Sequence, residues 1–310
     1  MSDFKGFNKK KKYFEGWYFK HQKGNQIVVL IPGINMDAHG RKYAFIQIIT
    51  NVNSYCVHYS MSECRISRDK LFIKIGENIF SQKGIKINIE LKEICLKGIL
   101  RYDAVTPIRY PFMGIFQFLP FMECNHEIIS MYHKLHGNLI LNDKIFAFDQ
   151  GIGYIEKDWG NSFPKSYLWL QCNDFLNDKC SVVLSVANIS YFGLNFRGCI
   201  CVIHYEGMEY RLATYLGVRI IKCNNKEICL RQGKYLLKIQ FSGVMQTDSN
   251  KEEGKEKVNA FSHKLLAPNH GEMSRTIQEQ HSCQARYELY EGKRLLFDLT
   301  SKEASLEIVD

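Results

Sequence analysis

Along most of this chain apolar and polar side chains alternate with a period of two rather than 3.6. From Gly84 to Glu90, Ile85, Ile87 and Ile89 alternate with Lys86, Asn88 and Glu90. That is the pattern of a strand with one buried face. Comparable short runs recur at 26–31, 43–50, 71–75, 137–141, 145–149, 181–187, 199–205, 215–221, 235–241, 284–290 and 295–299. Turn-forming residues separate them: Lys23-Gly24-Asn25, Asn142-Asp143, Glu206-Gly207 and Glu291-Gly292-Lys293 predict hairpins. Helical patterns are few and short. About a dozen short strands predict an all-β protein built as sandwiches or barrels. Two segments break the pattern. Residues 111–123, PFMGIFQFLPFME, form the most apolar run, bracketed by Pro111 and Pro120. The run falls short of the roughly 18 residues a bilayer span needs. It predicts a buried crossing segment or lid, with a hydrophobic mouth for a lipid tail as the functional alternative. Residues 246–259, QTDSNKEEGKEKVN, predict an exposed hairpin tip.

Length changes the picture first. The chain has 310 residues, comfortable for two domains, and near-equal halves put the boundary at about residue 150: 1–149 and 150–310. Hydrophobic content of 45% and charged content of 24% are those of a globular protein. The eleven cysteines carry no CxxC and no finger spacing, so they read as free thiols acting as small hydrophobes. Cys199 and Cys201, two apart, would share one strand face. The net charge of +9 includes the run Lys9, Lys10, Lys11 and Lys12. Such a run reads as a solvated tail. Its alternative is contact with anionic lipid, where each basic residue contributes ~1 kcal/mol. Zinc fingers, basic helices and RNP-type motifs are lacking, which argues against nucleic acid as a partner. The N-terminus MSDFKGFNKKKKYF has no apolar h-region. The expected location is the cytoplasm, in solution or peripheral to a membrane.

The candidate chemistry concentrates at 154–173, YIEKDWGNSFPKSYLWLQCN. It holds Trp159 and Trp169, two of the three tryptophans. The third, Trp17, lies in a similar cluster, YFEGWYFK at 13–20. Acids among indoles and phenols suit an aromatic-walled pocket with a few ionisable groups. Glu15, Glu123, Glu156 and Asp158 all have apolar or aromatic neighbours in sequence. Burial would raise such a carboxyl and keep it a neutral proton donor near pH 7. The structural alternative for each is an ion pair with a buried Lys or Arg. Aromatic walls would also suit a carbocation, at ~1–2 kcal/mol per ring face when desolvated. Plain core packing accounts for most of the 17 Tyr and 20 Phe. His133 and His136, with Cys124 and His126 nearby, lack the tight ligand spacing of a zinc site, so no metal is expected.

These residues carry a resemblance. YFEGWYFK (13–20), FLPFMECNHEIIS (118–130), IEKDWGNSFPKSYLWLQCN (155–173), CVIHYEGMEYRL (201–212), LLAP (265–268) and YELYEGKRLLFDLTSKEASLEI (287–308) resemble the tocopherol cyclase family, in its order and over nearly the whole chain. The resemblance implies two lipocalin-like antiparallel β-barrels. It also implies an activity without metal or redox cofactor. An acid protonates the tail alkene of a prenylated hydroquinone, and the neighbouring phenol oxygen traps the cation as a chromanol ring. The family's motifs match here at Glu15, Trp17, Tyr18, Glu123, His126, Glu156, Lys157, Trp159, Phe163, Trp169, Gln171 and Asn173. Plant members carry Asn at the position of Asp158, so this chain adds a titratable group there. The expected acid is Glu156 or Asp158, then Glu15 and Glu123. Trp17, Trp159 and Trp169 would line the cation, beside Tyr18 and Phe163. Lys157, His126, Gln171 and Asn173 would orient the head group. The expected ligand is an amphiphilic prenyl lipid or hydroquinone. Two alternatives stand beside cyclisation: hydration of a polyprenyl alkene, as in carotenoid hydratases of similar fold, and non-catalytic carriage of a lipid.

Overall fold

The computed structural model describes residues 4–50, 53–120, 122–175, 179–191, 193–242 and 261–310. The predicted tip at 246–259 lies outside them. The described chain is almost entirely antiparallel strand, in two sheets of twelve and ten strands. It divides into two compact units, 1–164 with 264–277, and 165–263 with 278–310. The division follows sheet pairing rather than equal halves, because the strand Gly151–Gly160 pairs with Tyr13–Lys23 and Cys124–Leu141 inside the first unit. Residues 264–277 fold back onto that unit. The Leu266 N–H donates to Gln47 Oε1 at 2.7 Å, and Gln47 Nε2 donates to the Leu266 carbonyl at 2.9 Å.

In the first sheet the strands run Ser54–Tyr59, Lys42–Thr50, Gln26–Met36, Tyr13–Lys23, Gly151–Gly160, Cys124–Leu141, Cys95–Tyr102, Gly84–Glu90, Asn78–Ser81, Phe72–Ile75 and Cys64–Ile66, with Lys144–Ala147 beside Cys124–Leu141. The end strands are neighbours in sequence. A 3-10 turn, Met61–Glu63, joins them, capped by Ser60 and Glu63. A connection of four residues spans at most roughly 14 Å, so the sheet must roll round on itself. The ten-stranded sheet uses the same device: its end strands, Met208–Ala213 and Arg219–Cys223, flank the 3-10 turn Thr214–Leu216. Part of the strand expected at 215–221 is therefore this turn. No ladder joins the ends of either sheet among the described residues. The expected pair of lipocalin-like antiparallel barrels is thus present as two rolled sheets without a closing ladder among the described residues.

Turns are where the sequence put them. Asn142 and Asp143 both have positive φ, as do Glu206 and Gly207, the conformation that matches the twist of a two-residue hairpin. The inner face of each sheet converges on one apolar core. Trp17, Phe19, Leu30, Phe80, Leu100 and Ile155 belong to the first. Leu170, Leu184, Cys199, Cys201, Leu230 and Tyr287 belong to the second. All eleven cysteines are free, and Cys199 and Cys201 share the core face as their spacing predicts. No described helix is long and apolar enough to cross a membrane.

Candidate active site

The strand Gly151–Gly160 has two working faces. Alternation sends Ile155, Lys157 and Trp159 to one and Tyr154, Glu156 and Asp158 to the other. Its register sets the neighbours. Glu15, Gly16, Trp17 and Tyr18 lie opposite Trp159, Asp158, Lys157 and Glu156 on one side. Asn125, His126, Glu127 and Ile128 lie opposite Trp159, Asp158, Lys157 and Glu156 on the other.

On the core face, Lys157 and Glu15 are fully buried and form an ion pair, Nζ to Oε1 at 2.7 Å. The ammonium also sits 5.3 Å from the Trp17 ring centre and 4.9 Å from that of Trp159. Glu15 further accepts from the Tyr13 hydroxyl at 2.6 Å and from the backbone N–H groups of Lys5 and Gly6 at 3.0 Å. In each of these contacts the carboxylate accepts. That is the geometry of an ion-pair partner, the structural alternative of the sequence reading, rather than of a proton donor. The two indole faces likewise hold a resident cation, Lys157.

The opposite face gathers a different group. Glu156 is buried. Its Oε2 accepts from the Tyr154 hydroxyl at 2.5 Å and lies 2.9 Å from His126 Nε2. Asp158 stands directly across the ladder from His126, and the Cys124 thiol donates to its Oδ1 at 3.9 Å. Burial pushes Asp158 up to about 7; the Glu156 charge adds to the rise and His126 opposes it. Burial works against the charged form of His126, but Asp158 and Glu156 outweigh it and raise His126 to about 9. At neutral pH the group therefore holds an imidazolium between two carboxyls, with a further proton poised on Asp158. Burial and Glu156 keep the Tyr154 phenol a donor. Donor atoms of His126, Glu156 and Asp158 lie within 4.8 Å of one another, a spacing that could also take a divalent ion.

His126 reaches the wall of a cavity of about 490 Å³. Phe112, Met113, Ile128, Trp159 and Lys5 line it as well. The Phe112 ring stands 4.6 Å from the His126 ring. Phe112 and Met113 come from the apolar run after Pro111, which folds over the cavity through a short 3-10 turn, Gly114–Phe118. Pro111, Phe112, Met113 and Gln117 of the run line the cavity.

The remaining predicted residues fall elsewhere. Tyr18 joins the acid face, its ring 6.4 Å from that of Tyr154. Phe163 packs edge-on against Phe14. The Glu123 side chain is exposed. Its carbonyl instead accepts from the Asn161 and Ser162 N–H groups, and an added Cβ at Gly160 would lie 2.1 Å from that oxygen. Trp169, Gln171 and Asn173 belong to the second unit. They alternate with core residues Leu168, Leu170 and Cys172 and face away from the core. That face carries residues the sequence reading missed: the Tyr167 hydroxyl donates to Glu307 at 2.7 Å, and buried His281 lies between Ser305, at 2.8 Å, and Glu279, at 3.5 Å. Tyr154 and Cys124 were missed too. Both stand two residues from a named acid or histidine, so strand alternation was the available signal. His133 and His136 do not converge: His133 is buried against Ser130, while His136 is exposed and pairs with Asp103.

A family model described as tocopherol cyclase-like matches residues 93–309. The chain belongs to this family. The match includes the whole acid face of Gly151–Gly160 and the strand that carries Cys124 and His126. Among curated proteins, the chain is 27% identical over 129 residues to "Probable tocopherol cyclase, chloroplastic" of Oryza sativa subsp. japonica, covering 40% of this chain and 27% of that protein. It is 29% identical over 102 residues to "Tocopherol cyclase, chloroplastic" of Zea mays, covering 32% of this chain and 22% of that protein. The aligned part is about a quarter of the length of these relatives. Two solved structures share the fold. A candidate AttH protein of Nitrosomonas europaea matches with a TM-score of 0.52 at 9% identity, covering 96% of this chain and 92% of its own. Kievitone hydratase of Nectria haematococca matches with a TM-score of 0.51 at 12% identity, covering 96% and 88%.

Proposed function

We propose that this member of the tocopherol cyclase-like family is an acid-catalysed cyclase acting on a prenylated hydroquinone or a related polyprenyl phenol. The observation that carries the reading is the proton-holding group Asp158–His126–Glu156, whose His126 reaches the wall of a cavity with Phe112, Met113, Ile128 and Trp159 in its lining. The apolar part of that lining suits an isoprenoid tail, because it buries apolar surface. A carboxyl kept neutral near pH 7 is the acid that alkene protonation needs. In the proposed reaction the Asp158 proton passes by way of His126, which lines the cavity, to the less substituted alkene carbon. The tertiary cation forms at the neighbouring carbon, the phenol oxygen bonds to it, and the phenolic proton returns to the carboxylate. Substrate and product are isomers, and the acid is regenerated. His126 faces the cavity and relays or steadies the proton. Holding the tail folded over the ring supplies the orientation term.

Hydration is the second reading, supported by Asp158 itself: a titratable group in place of the Asn of plant members could activate water toward the same cation. One experiment separates the readings. Purified protein is incubated anaerobically with a prenylated hydroquinone in heavy water, and products are resolved by mass spectrometry. Cyclisation yields a chromanol with one carbon-bound deuterium. Hydration yields a deuterated tertiary alcohol. Substrate bound stoichiometrically but unchanged would replace both with a carrier.

A further inference from the structure

The apolar run does more than wall the cavity. Its inner side chains, Phe112 and Met113, are buried, whereas Ile115 and Phe118 point outward with 62% and 79% of their surface exposed; Tyr110, just before the run and at the cavity's edge, is 68% exposed. Three large apolar side chains at such exposure on one short loop form a patch of the kind that marks an interaction site. The loop is stiffened by Pro111 and Pro120 and by the 3-10 turn between them. Charge narrows the choice of partner. Between Asp103 and Glu123 the chain carries Arg109 and no acidic side chain. Arg109 lines the cavity, and so does Lys5, which comes from the N-terminal segment and not from the loop. The exposed run Lys9–Lys12 follows Lys5 along the chain. Aromatic and aliphatic tips with neighbouring cations fit the interfacial zone of an anionic bilayer, where ring edges and basic groups meet lipid head groups.

We propose that the loop from Pro107 to Pro120 docks the first unit on the surface of an anionic lipid bilayer, inserting Ile115 and Phe118 among the lipids so that an amphiphile passes from the membrane into the cavity behind Phe112. The inference rests on the reading of that cavity as a site for a prenylated amphiphile, which has negligible solubility as a monomer and must be taken from a lipid phase.

The test is sedimentation of the full chain with vesicles of phosphatidylcholine, with and without phosphatidylserine. The wild-type chain is expected to pellet with the mixed vesicles, and less with neutral ones. The double substitution Ile115→Ser, Phe118→Ser should weaken that partition about tenfold or more. Neither side chain lines the cavity. Turnover of detergent-dispersed prenylated hydroquinone should therefore stay at the wild-type rate, while turnover of the same substrate embedded in vesicles falls. A wild-type chain that stays in solution with both vesicle types would overturn the proposal, as would a variant that binds as tightly as wild type. Concentration-dependent dimers lost in the variant, without vesicle binding, would also overturn it and assign the loop to a second copy of the chain. Vesicle binding is read without turnover. Its loss leaves the cyclase reading standing, and absence of turnover in detergent strikes that reading alone.

Discussion

Asp158 owes its character to neighbours that its own sequence position does not reveal. Burial raises its carboxyl to about 7, Glu156 adds like charge two residues away, and His126 across the ladder offsets part of both. The proton donor is present below that value and is lost as pH rises through it. Turnover is therefore expected to be flat on the acid side and to fall along a single limb centred near pH 7. A pH–rate profile that rises through neutrality would contradict this. Asp158→Asn keeps shape and removes the proton. It also installs the Asn of plant members, so kcat should fall by about 10²-fold at neutral pH, with the residual turnover carried by His126 and Glu156 and the unfolding midpoint intact. His126→Gln removes the cavity-facing cation, so the Asp158 carboxyl should rise further and the limb should move to higher pH. Glu15 was expected among the acids on its aromatic neighbours. Its partner Lys157 lies on the far side of a ladder, 142 residues away in the chain, and that pairing leaves no trace in the local context.

At the scale of elements, one ten-residue strand separates stability from chemistry by alternation alone. Its core face carries the Glu15–Lys157 pair under two indoles; its other face carries the acid group. Breaking a buried pair leaves an uncompensated charge, so Glu15→Gln or Lys157→Met should cost about 3–5 kcal/mol in denaturant unfolding. The combined Glu15→Gln, Lys157→Met change should recover much of that loss, and purely additive losses would contradict the pairing. A second element-level device lies on the same core face. His21 and His133 flank Gly153 from both sides, where an added Cβ would lie 2.1 Å from His133 Nε2. His21 donates from Nδ1 to the Val28 carbonyl and accepts at Nε2 from the Tyr102 hydroxyl. Burial lowers His21 from 6.5 to about 4, against a smaller opposing effect of the Val28 hydrogen bond, and burial with the His21 charge lowers His133 to about 3. The unfolded chain therefore binds these protons first. Their stabilisation is complete above pH 6.5 and is lost as pH falls towards 4, on the order of 3 kcal/mol for His21. The thermal midpoint should drop between pH 7 and pH 5; a midpoint that rises over that interval would refute the assignment.

At the scale of the whole molecule, period-two patterning made the all-β class and most strands readable, because strands such as Gly84–Glu90 bury one face and expose the other. Hairpin turns were readable because positive φ selects Asn, Asp and Gly. The rolled but open form of each sheet was not readable. It depends on two short 3-10 turns, one at Met61–Glu63 and one inside the run expected as strand at 215–221. The division into units was hidden for a related reason: residues 264–277 return to a sheet begun some 220 positions earlier, through the mutual hydrogen bonds of Gln47 and Leu266. Of the candidate site, the motif block at 154–173 covers the strand that carries the acid group, Gly151–Gly160, only from Tyr154 onward. Which of its residues meet was set by register with Tyr13–Lys23 and Cys124–Leu141, and long-range register leaves no local trace. The second unit's Glu279 and His281 lie outside every run read from the sequence, and Ser305 and Glu307 lie within the closing motif at 287–308 without having been singled out as site residues.

The central claim is that Asp158 holds a proton near neutrality. Infrared difference spectroscopy across a pH titration tests it most directly, by following the protonated carboxyl band that is present in the wild-type protein and absent from Asp158→Asn. A band that disappears with a midpoint near pH 7 is the predicted result. A midpoint near pH 4, or no band lost on substitution, would contradict it.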